Sequence, residues 1–433
     1  MCKIFGKSIL FGGETMRFKK LLLVSLLMLM LSFSFAAEKT TLYYTTLFHS
    51  GDAQAMEKIV QRINQESDDI FVVLVQGAWE NYYAQLINQV VAGNAPQVGV
   101  VHSNMFPSMR DALTPLNASS AGNLLEKSGF KREDFLTDVW DSSTFDDLHY
   151  GIPLDTHMWA MWYNKDIFVK AGLDPDKPPT NAEELKYAAE KIKDAGYYAV
   201  HFAEDGVARK LMRAWYILYW QQGGELFDEN YSKATFNNEK GIKALQYLVD
   251  SVQKWGWNTK GTDGFKQFAS GQLGILFAGN WYYYSAEEAK INYGVAKVPT
   301  IFDKPATWGN SHNLVIPKQA ANNPQMYEQA IELIRRITDL SYMWGMFGGH
   351  IPAYNNSRTS SELLNAPVWE KSLNVFSQMA EEGYLHYPPN HVKAAELEDA
   401  IQVYVQQAYN GTITPSEALK RAEAECNRIL SEN

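Results

Sequence analysis

Between Thr41 and Val101 the chain alternates strand-like and helix-like segments, and its strand-like segments are apolar along nearly their whole length. Thr41 to Phe48 is β-branched and aromatic, Ile70 to Val75 is almost continuously apolar, and Val98 to Val101 is a short third run. Met56, Ile59, Val60 and Ile63 recur at helical spacing after Asp52, which is placed to cap that helix. Trp79 to Ala92 reads as a second helix, closed by Gly93-Asn94-Ala95-Pro96. Strands that are apolar on both faces need cover on both, and helical crossovers of a parallel sheet supply it. The expected class is therefore α/β with a parallel sheet. Ligands of such sheets gather beyond the strand C-termini, here Phe48-His49-Ser50, Gln76 to Glu80 and His102-Ser103-Asn104.

Farther on, Tyr150 to Thr180 opens on the turn pair Gly151 and Pro153. It runs through a stretch dense in Trp, Met and Tyr and closes on a proline-rich loop before a helix start at Thr180/Asn181. Asp155 and His157 stand inside it beside Trp159 and Trp162, an unusual polar–aromatic mixture for plain core. Helices are expected over 181–194, 208–221, from Asn238 to Val252, 323–338, 368–381, 394–409 and 415–430. Strands are expected over 273–277, 293–298 and 313–316. Linker chemistry marks Asp303-Lys304-Pro305 and Gly348-Gly349-His350.

The N-terminal segment has the pattern of a secretory signal. Met16-Arg17-Phe18-Lys19-Lys20 precedes an apolar run from Leu21 to Leu31, and Ser34-Phe35-Ala36 is a small-x-small cleavage signal. Residues 1–36 are the expected leader, with Met16 the expected start, which leaves residues 1–15 untranslated. The mature chain, about 397 residues, is long enough for two cores. The leader carries five basic residues against Glu14, so removing it takes the formal charge from −10 to −14. An acidic export product is a poor partner for nucleic acid or an anionic membrane. Of Cys2 and Cys426, only Cys426 survives cleavage, so no internal disulfide is expected. No Cys lies at the cleavage point to take a lipid anchor, and the expected location is periplasmic or extracellular. A monomer is expected.

Catalytic signatures are absent: there is no G-x-S-x-G, H-E-x-x-H, P-loop or G-x-G-x-x-G. The nine His show no metal-ligand spacing, so neither metal nor cofactor is expected. The chain instead carries 12 Trp and 24 Tyr, many at element ends and glycine turns such as Gly279-Asn280-Trp281 and Trp308-Gly309. A sugar presents an apolar C–H face that a flat ring covers, and hydroxyls that Asp, Asn, Glu and His pair. Core packing is the competing explanation for any single ring.

The run Y-G-I-P at 150–153, followed by Tyr163-Asn164-Lys165-Asp166 and Lys170-Ala171-Gly172-Leu173-Asp174-Pro175, resembles family 1 extracellular solute-binding proteins of ABC importers. That group includes maltose-, trehalose- and glycerol-phosphate-binding proteins. Phe268-Ala269-Ser270-Gly271 with Gly279-Asn280-Trp281, Tyr293-Gly294-Val295 with Val298-Pro299, Asn313 to Lys318 and Ile351-Pro352-Ala353 resemble further family segments in order. The resemblance implies a two-lobed periplasmic-binding-protein fold of type II-like architecture, with discontinuous lobes joined by a hinge. The first lobe would take 38–153 and 303–345, the second 154–302 and 346–433. It also implies a solute site between the lobes, with His157 and Asn104 where relatives place hydroxyl-binding carboxylates and Trp281 as a stacking ring. Trp308, Gly309, Arg213 and Trp215 lie near ligand-contacting segments, and His49, Glu80 and His350 are further placements. The implied role is capture of a neutral sugar or oligosaccharide for the permease of an ABC importer. The alternatives are another solute such as a polyol phosphate, an exported glycan-active enzyme, or presentation of a sugar to a membrane receptor.

Overall fold

The computed structural model describes residues 39–202, 208–319 and 323–432. The expected leader lies outside them. Twelve strands carry the architecture: β1 (Thr40–Thr46), β2 (Ile70–Gln76), β3 (Gly99–His102), β4 (Gly151–Pro153), β5 (Asp155–Asn164), β6 (Tyr198–His201), β7 (Leu273–Gly279), β8 (Tyr293–Ala296), β9 (Thr307–Asn310), β10 (His312–Val315), β11 (Ile351–Pro352) and β12 (Leu385–His386). The helices used below are α1 (Ser50–Glu66), α2 (Tyr82–Val91), α3 (Ala182–Asp194), α4 (Ala208–Trp220), α5 (Glu239–Gln253), α6 (Pro324–Asp339), α7 (Ser341–Gly348), α8 (Asn374–Glu381), α9 (Ala394–Tyr409) and α10 (Pro415–Ser431).

In the first lobe β1 and β2 pair in parallel from Thr40↔Ile70 to Thr46↔Gln76, and Tyr44 bridges Val98 in the same sense. The sheet is not wholly parallel, as the sequence suggested. β10, returning from the second lobe, inserts antiparallel between β3 and β4, with Asn313 opposite both Val101 and Pro153. A strand that re-enters a sheet from the far side must run against its neighbours, and local periodicity carries no trace of that. Around this sheet Leu42, Ile59, Val100, Ile152, Leu314, Ile334 and Trp344 close one core. Two helix starts differ from expectation. α1 begins at Ser50 with His49 in the capping position, so Asp52 sits in the first turn. The helix expected over 79–92 splits into a 3₁₀ turn, Trp79–Asn81, and α2.

The second lobe is organised by β5, all ten of whose residues are buried. Its neighbours run β12-β9-β5-β7-β6, with β8 and β11 also pairing along it. Strand periodicity explains the burial, because successive side chains point to opposite faces. Trp159, Met161 and Tyr163 enter the core under α3, α4, α5 and α9. Met158, Ala160 and Trp162 enter a second layer with Leu276, Tyr282, Leu373 and Phe376. Both faces of the sheet are covered, so the aromatic-rich run satisfies two cores at once.

The chain crosses between the lobes three times, and the crossings are adjacent. Leu154 joins β4 to β5, Ser311 joins β9 to β10, and Gly349-His350 joins α7 to β11. The Leu154 amide donates to the His312 carbonyl at 2.8 Å, and the Ala353 amide to the Leu154 carbonyl at 3.2 Å. The return crossing lies later than the boundary expected at 303. β9 pairs with β5 through Gly309↔Met158, and Ala306 and Trp308 pack in the second lobe's core.

Candidate functional site

The three crossings deliver a compact group of histidines. Asp155 and His157 share one face of β5 at its first turn of register, and His312 opens β10 beside them. His350 follows Gly349, whose left-handed backbone (φ 73°) ends α7 and turns the chain inward. A Cβ on Gly349 would meet the Tyr283 Cβ at 2.8 Å, so the turn needs glycine for space as well. His102 ends β3 on the opposite side.

Asp155 is the hub. One carboxylate oxygen accepts from the His312 amide at 3.0 Å and faces His157 Nδ1 at 3.1 Å. The other accepts from Trp344 Nε1 at 2.7 Å and meets His312 Nδ1 at 2.8 Å. His350 Nδ1 stands 3.1 Å from that second oxygen but off the line of a hydrogen bond. Its Nε2 meets Asp52 Oδ1 at 3.1 Å. Asp52, expected as a helix cap, therefore pairs across to the third crossing.

Charge follows from these contacts. Burial pulls the imidazolium of His350 down, yet Asp52 and Asp155 outweigh it and push the pKa up to about 10. Burial would raise Asp155, but His312 and His350 hold its carboxyl well below the usual range. Burial and the neighbouring His312 lower His157 to about 3, and burial chiefly holds His102 well below an ordinary imidazole. The group is thus a cationic His350 between two carboxylates, with His157 and His102 neutral.

Aromatic rings line one side of it. His157 lies 4.4 Å from the His312 ring, 5.7 Å from Trp281 and 6.2 Å from Trp308 by ring centroids. Trp281 and Trp308 stand 6.4 Å apart at 88°. The Arg213 guanidinium covers the Trp308 ring at 3.7 Å, and Lys210 Nζ lies 5.5 Å from the Trp281 centroid. Trp79, more than half exposed, meets the His102 ring edge-on at 5.7 Å. Asn104 Oδ1 accepts from Asn310 Nδ2 at 2.9 Å.

Of the residues singled out in the sequence, the fold thus gathers His157, Asn104, Trp281, Trp308, Arg213 and His350 around one junction. Trp215 is not there. It is fully buried on α4, stacks on Tyr219 and donates its indole N–H to the Gly241 carbonyl at 3.0 Å, so it offers no surface to a solute. The reason is helical phase: Arg213 and Trp215 are two residues apart and point to different sides. Gly309 is a packing position, since a Cβ there would fall 2.1 Å from Leu385 Cδ1 and 2.8 Å from the His157 carbonyl. His49 and Glu80 are exposed, and the His49 ring meets Gln76 Nε2 at 3.1 Å. His312, Asp52 and Trp344 went unselected in the sequence. The only local signal for His312 was the polar run Ser311-His312-Asn313 opening an apolar strand.

Linear spacing held no metal motif, yet among the described residues folding assembles one group of suitable donors. One donor atom from each of Asp155, His157, His312 and His350 lies within 4.8 Å of the others.

Comparison with known proteins follows the architecture. Residues 49–335 match the family described as bacterial extracellular solute-binding protein. The chain belongs to that family. This solute-binding protein is similar to the periplasmic sn-glycerol-3-phosphate-binding protein UgpB of Salmonella paratyphi A, at 25% identity over 93% of this chain and 96% of that one. Among solved structures it resembles the substrate-binding protein Lmo0181 of Listeria monocytogenes, in complex with cycloalternan. That likeness has a TM-score of 0.77 at 21% identity and covers 92% of this chain and 100% of the other. A solute-binding protein of Thermotoga lettingae bound with alpha-D-tagatose matches with a TM-score of 0.75 at 23% identity, over 91% and 100% of the two chains. Two lobes and an interlobe junction are therefore the family's architecture. Among the described residues no helix is long and apolar enough to cross a membrane.

Proposed function

We propose that this solute-binding protein is exported, captures a neutral sugar or short oligosaccharide between its lobes, and delivers it to the permease of an ABC importer. The observation that carries this reading is the perpendicular pair Trp281 and Trp308 standing over His157 at the lobe junction. Rings at right angles can cover two apolar faces of one sugar, while His157 and the Asn104–Asn310 amide pair address hydroxyls. Arg213 covers one face of Trp308, so sugar entry there requires the guanidinium to swing aside as the lobes part. The solved relatives bound with cycloalternan and tagatose support a carbohydrate.

A second reading has its own observation. Two cationic side chains on α4, Lys210 and Arg213, reach the same two Trp rings, which suits a polyol phosphate, and UgpB is named for such a ligand. Intrinsic Trp fluorescence, titrated with mono- to tetrasaccharides and with glycerol 3-phosphate, separates the two. We expect a shift with a neutral sugar, and about tenfold weaker binding of every responding sugar in Trp281→Ala, from the loss of one stacked ring and its area. A response to the phosphate alone selects the second reading. No response to any of them, with no change in melting temperature, overturns both. Turnover of a labelled oligosaccharide would instead favour a glycan-active enzyme.

A further inference from the structure

We propose that Asp155, His157, His312 and His350 bind one divalent transition-metal ion of the zinc class, and that this ion ties together the three crossings between the lobes. Imidazole and carboxylate are the donor types such ions take. Zinc–nitrogen and zinc–oxygen bonds of about 2.0–2.1 Å make the edges of a four-coordinate shell about 3.3 Å long. The carboxylate oxygens of Asp155 already stand 3.1, 2.8 and 3.1 Å from Nδ1 of His157, His312 and His350. At those edges shifts of a few tenths of an ångström suffice; His157 faces one carboxylate oxygen and His312 and His350 the other, so donors up to 4.8 Å apart close by up to about 1.5 Å to complete the shell, and the donor protons leave to solvent.

Two further observations point the same way. His350 Nδ1 is almost wholly buried and faces the group, and its 3.1 Å contact with Asp155 lies off the line of a hydrogen bond. The supporting contacts a metal site needs are also in place. Asp52 meets the far nitrogen of His350 at 3.1 Å, and Trp344 Nε1 and the His312 amide hold the Asp155 carboxylate at 2.7 and 3.0 Å. Asp155 and His157 belong to the first crossing, His312 to the second and His350 to the third. An ion held by all four donors resists any hinge motion that separates these segments. The proposal stands independently of which solute the cleft takes.

The test uses the full exported chain, with any affinity tag removed, stripped with a chelator and titrated with Co²⁺ in the absence of solute. The expected result is one equivalent bound, the intense visible bands of a four-coordinate ion, displacement by Zn²⁺, and a melting temperature raised by several degrees. His157→Gln and His312→Gln should each abolish the bands. Asp52→Asn alters a positioning residue at the rim, and should weaken Co²⁺ binding about 10–100-fold. Less than one equivalent, or a pale six-coordinate spectrum that the His variants leave unchanged, overturns the proposal. If the His variants do not fold by circular dichroism, unchanged Co²⁺ affinity in Asp52→Asn overturns it by itself.

Discussion

Asp155 has no exposed surface and faces Trp344 Nε1, the His312 amide, and the Nδ1 atoms of His157, His312 and His350. Its charge is stabilising only as part of that set. Removing one member of a buried ionic group costs more than the net worth of the group, because its partners are stranded without water. Asp155→Ala, unfolded in urea with chelator present, should lose about 3–5 kcal/mol. A loss below about 1 kcal/mol would mean that the cluster relaxes into solvent, contrary to its burial. The sequence showed Asp155 and His157 as an odd pair in an aromatic strand. Its partners His312, Trp344 and His350 lie more than 150 residues away, and no local pattern links them. For Trp159 and Trp162, core packing, the competing explanation for any ring, is what the fold shows: both are fully buried.

Some helix ends were legible, because capping is a contact over three residues, although the starts of α1 and α2 were not. The helix expected from Asn238 starts there, with Asn238 as its cap. Its Oδ1 accepts from the Gly241 amide at 3.0 Å, while its Nδ2 donates to Tyr219 Oη at 2.9 Å and the Thr235 carbonyl at 2.8 Å. Alanine there removes the cap and a link from α5 to α4. We expect Asn238→Ala to cost about 1–2 kcal/mol in urea unfolding and Asn238→Asp, which keeps the acceptor, distinctly less. Equal losses in the two variants would assign the effect to the Nδ2 contacts instead. α9 was expected over Ala394–Tyr409, where it lies. α7 was not expected at all. Its sequence, SYMWGMFG, has Gly345 in mid-helix and apolar residues all round, so periodicity gives no signal. Trp344 and the Asp52–His350 contact are set by where α7 packs on α1. Part of the site was therefore hidden with the helix that carries it.

At the scale of the molecule, the sequence conveyed two lobes but misplaced one crossing. Asp303-Lys304-Pro305 has linker chemistry, yet the chain goes on to add β9 to the second lobe before it returns at Ser311. Each lobe also holds a histidine lowered by burial, His149 buried in the first and His386 half-buried in the second opposite Trp308, and these set how the whole responds to acid. In the first lobe, burial lowers His149 to about 4 beside Trp140 and Thr144, against opposing pulls from the Gly151 backbone and then Asp141. In the second, burial and then Lys304 lower His386 to about 4 where it stacks on Trp220. Unfolded histidines take up protons near pH 6.5, and these folded ones refuse them until about pH 4. Stability from this source is complete above about pH 6.5 and falls as pH drops through that window toward 4. His157 and His102, also lowered, act in the same direction. His350, raised to about 10, acts oppositely: its contribution is full below about pH 6.5 and lost as pH rises toward 10, so between pH 7.5 and pH 5 it regains about 1 kcal/mol and offsets part of the fall from the lowered histidines. For His149 the linkage amounts to about 2 kcal/mol between pH 7.5 and pH 5. Urea midpoints measured with chelator at those two pH values should fall on acidification. His149→Gln should reduce the fall without abolishing it, and His149→Gln with His386→Gln should reduce it further, whatever each variant costs at pH 7.5. A double variant with the wild-type difference between the two pH values would show that both imidazoles reach water in the folded lobes.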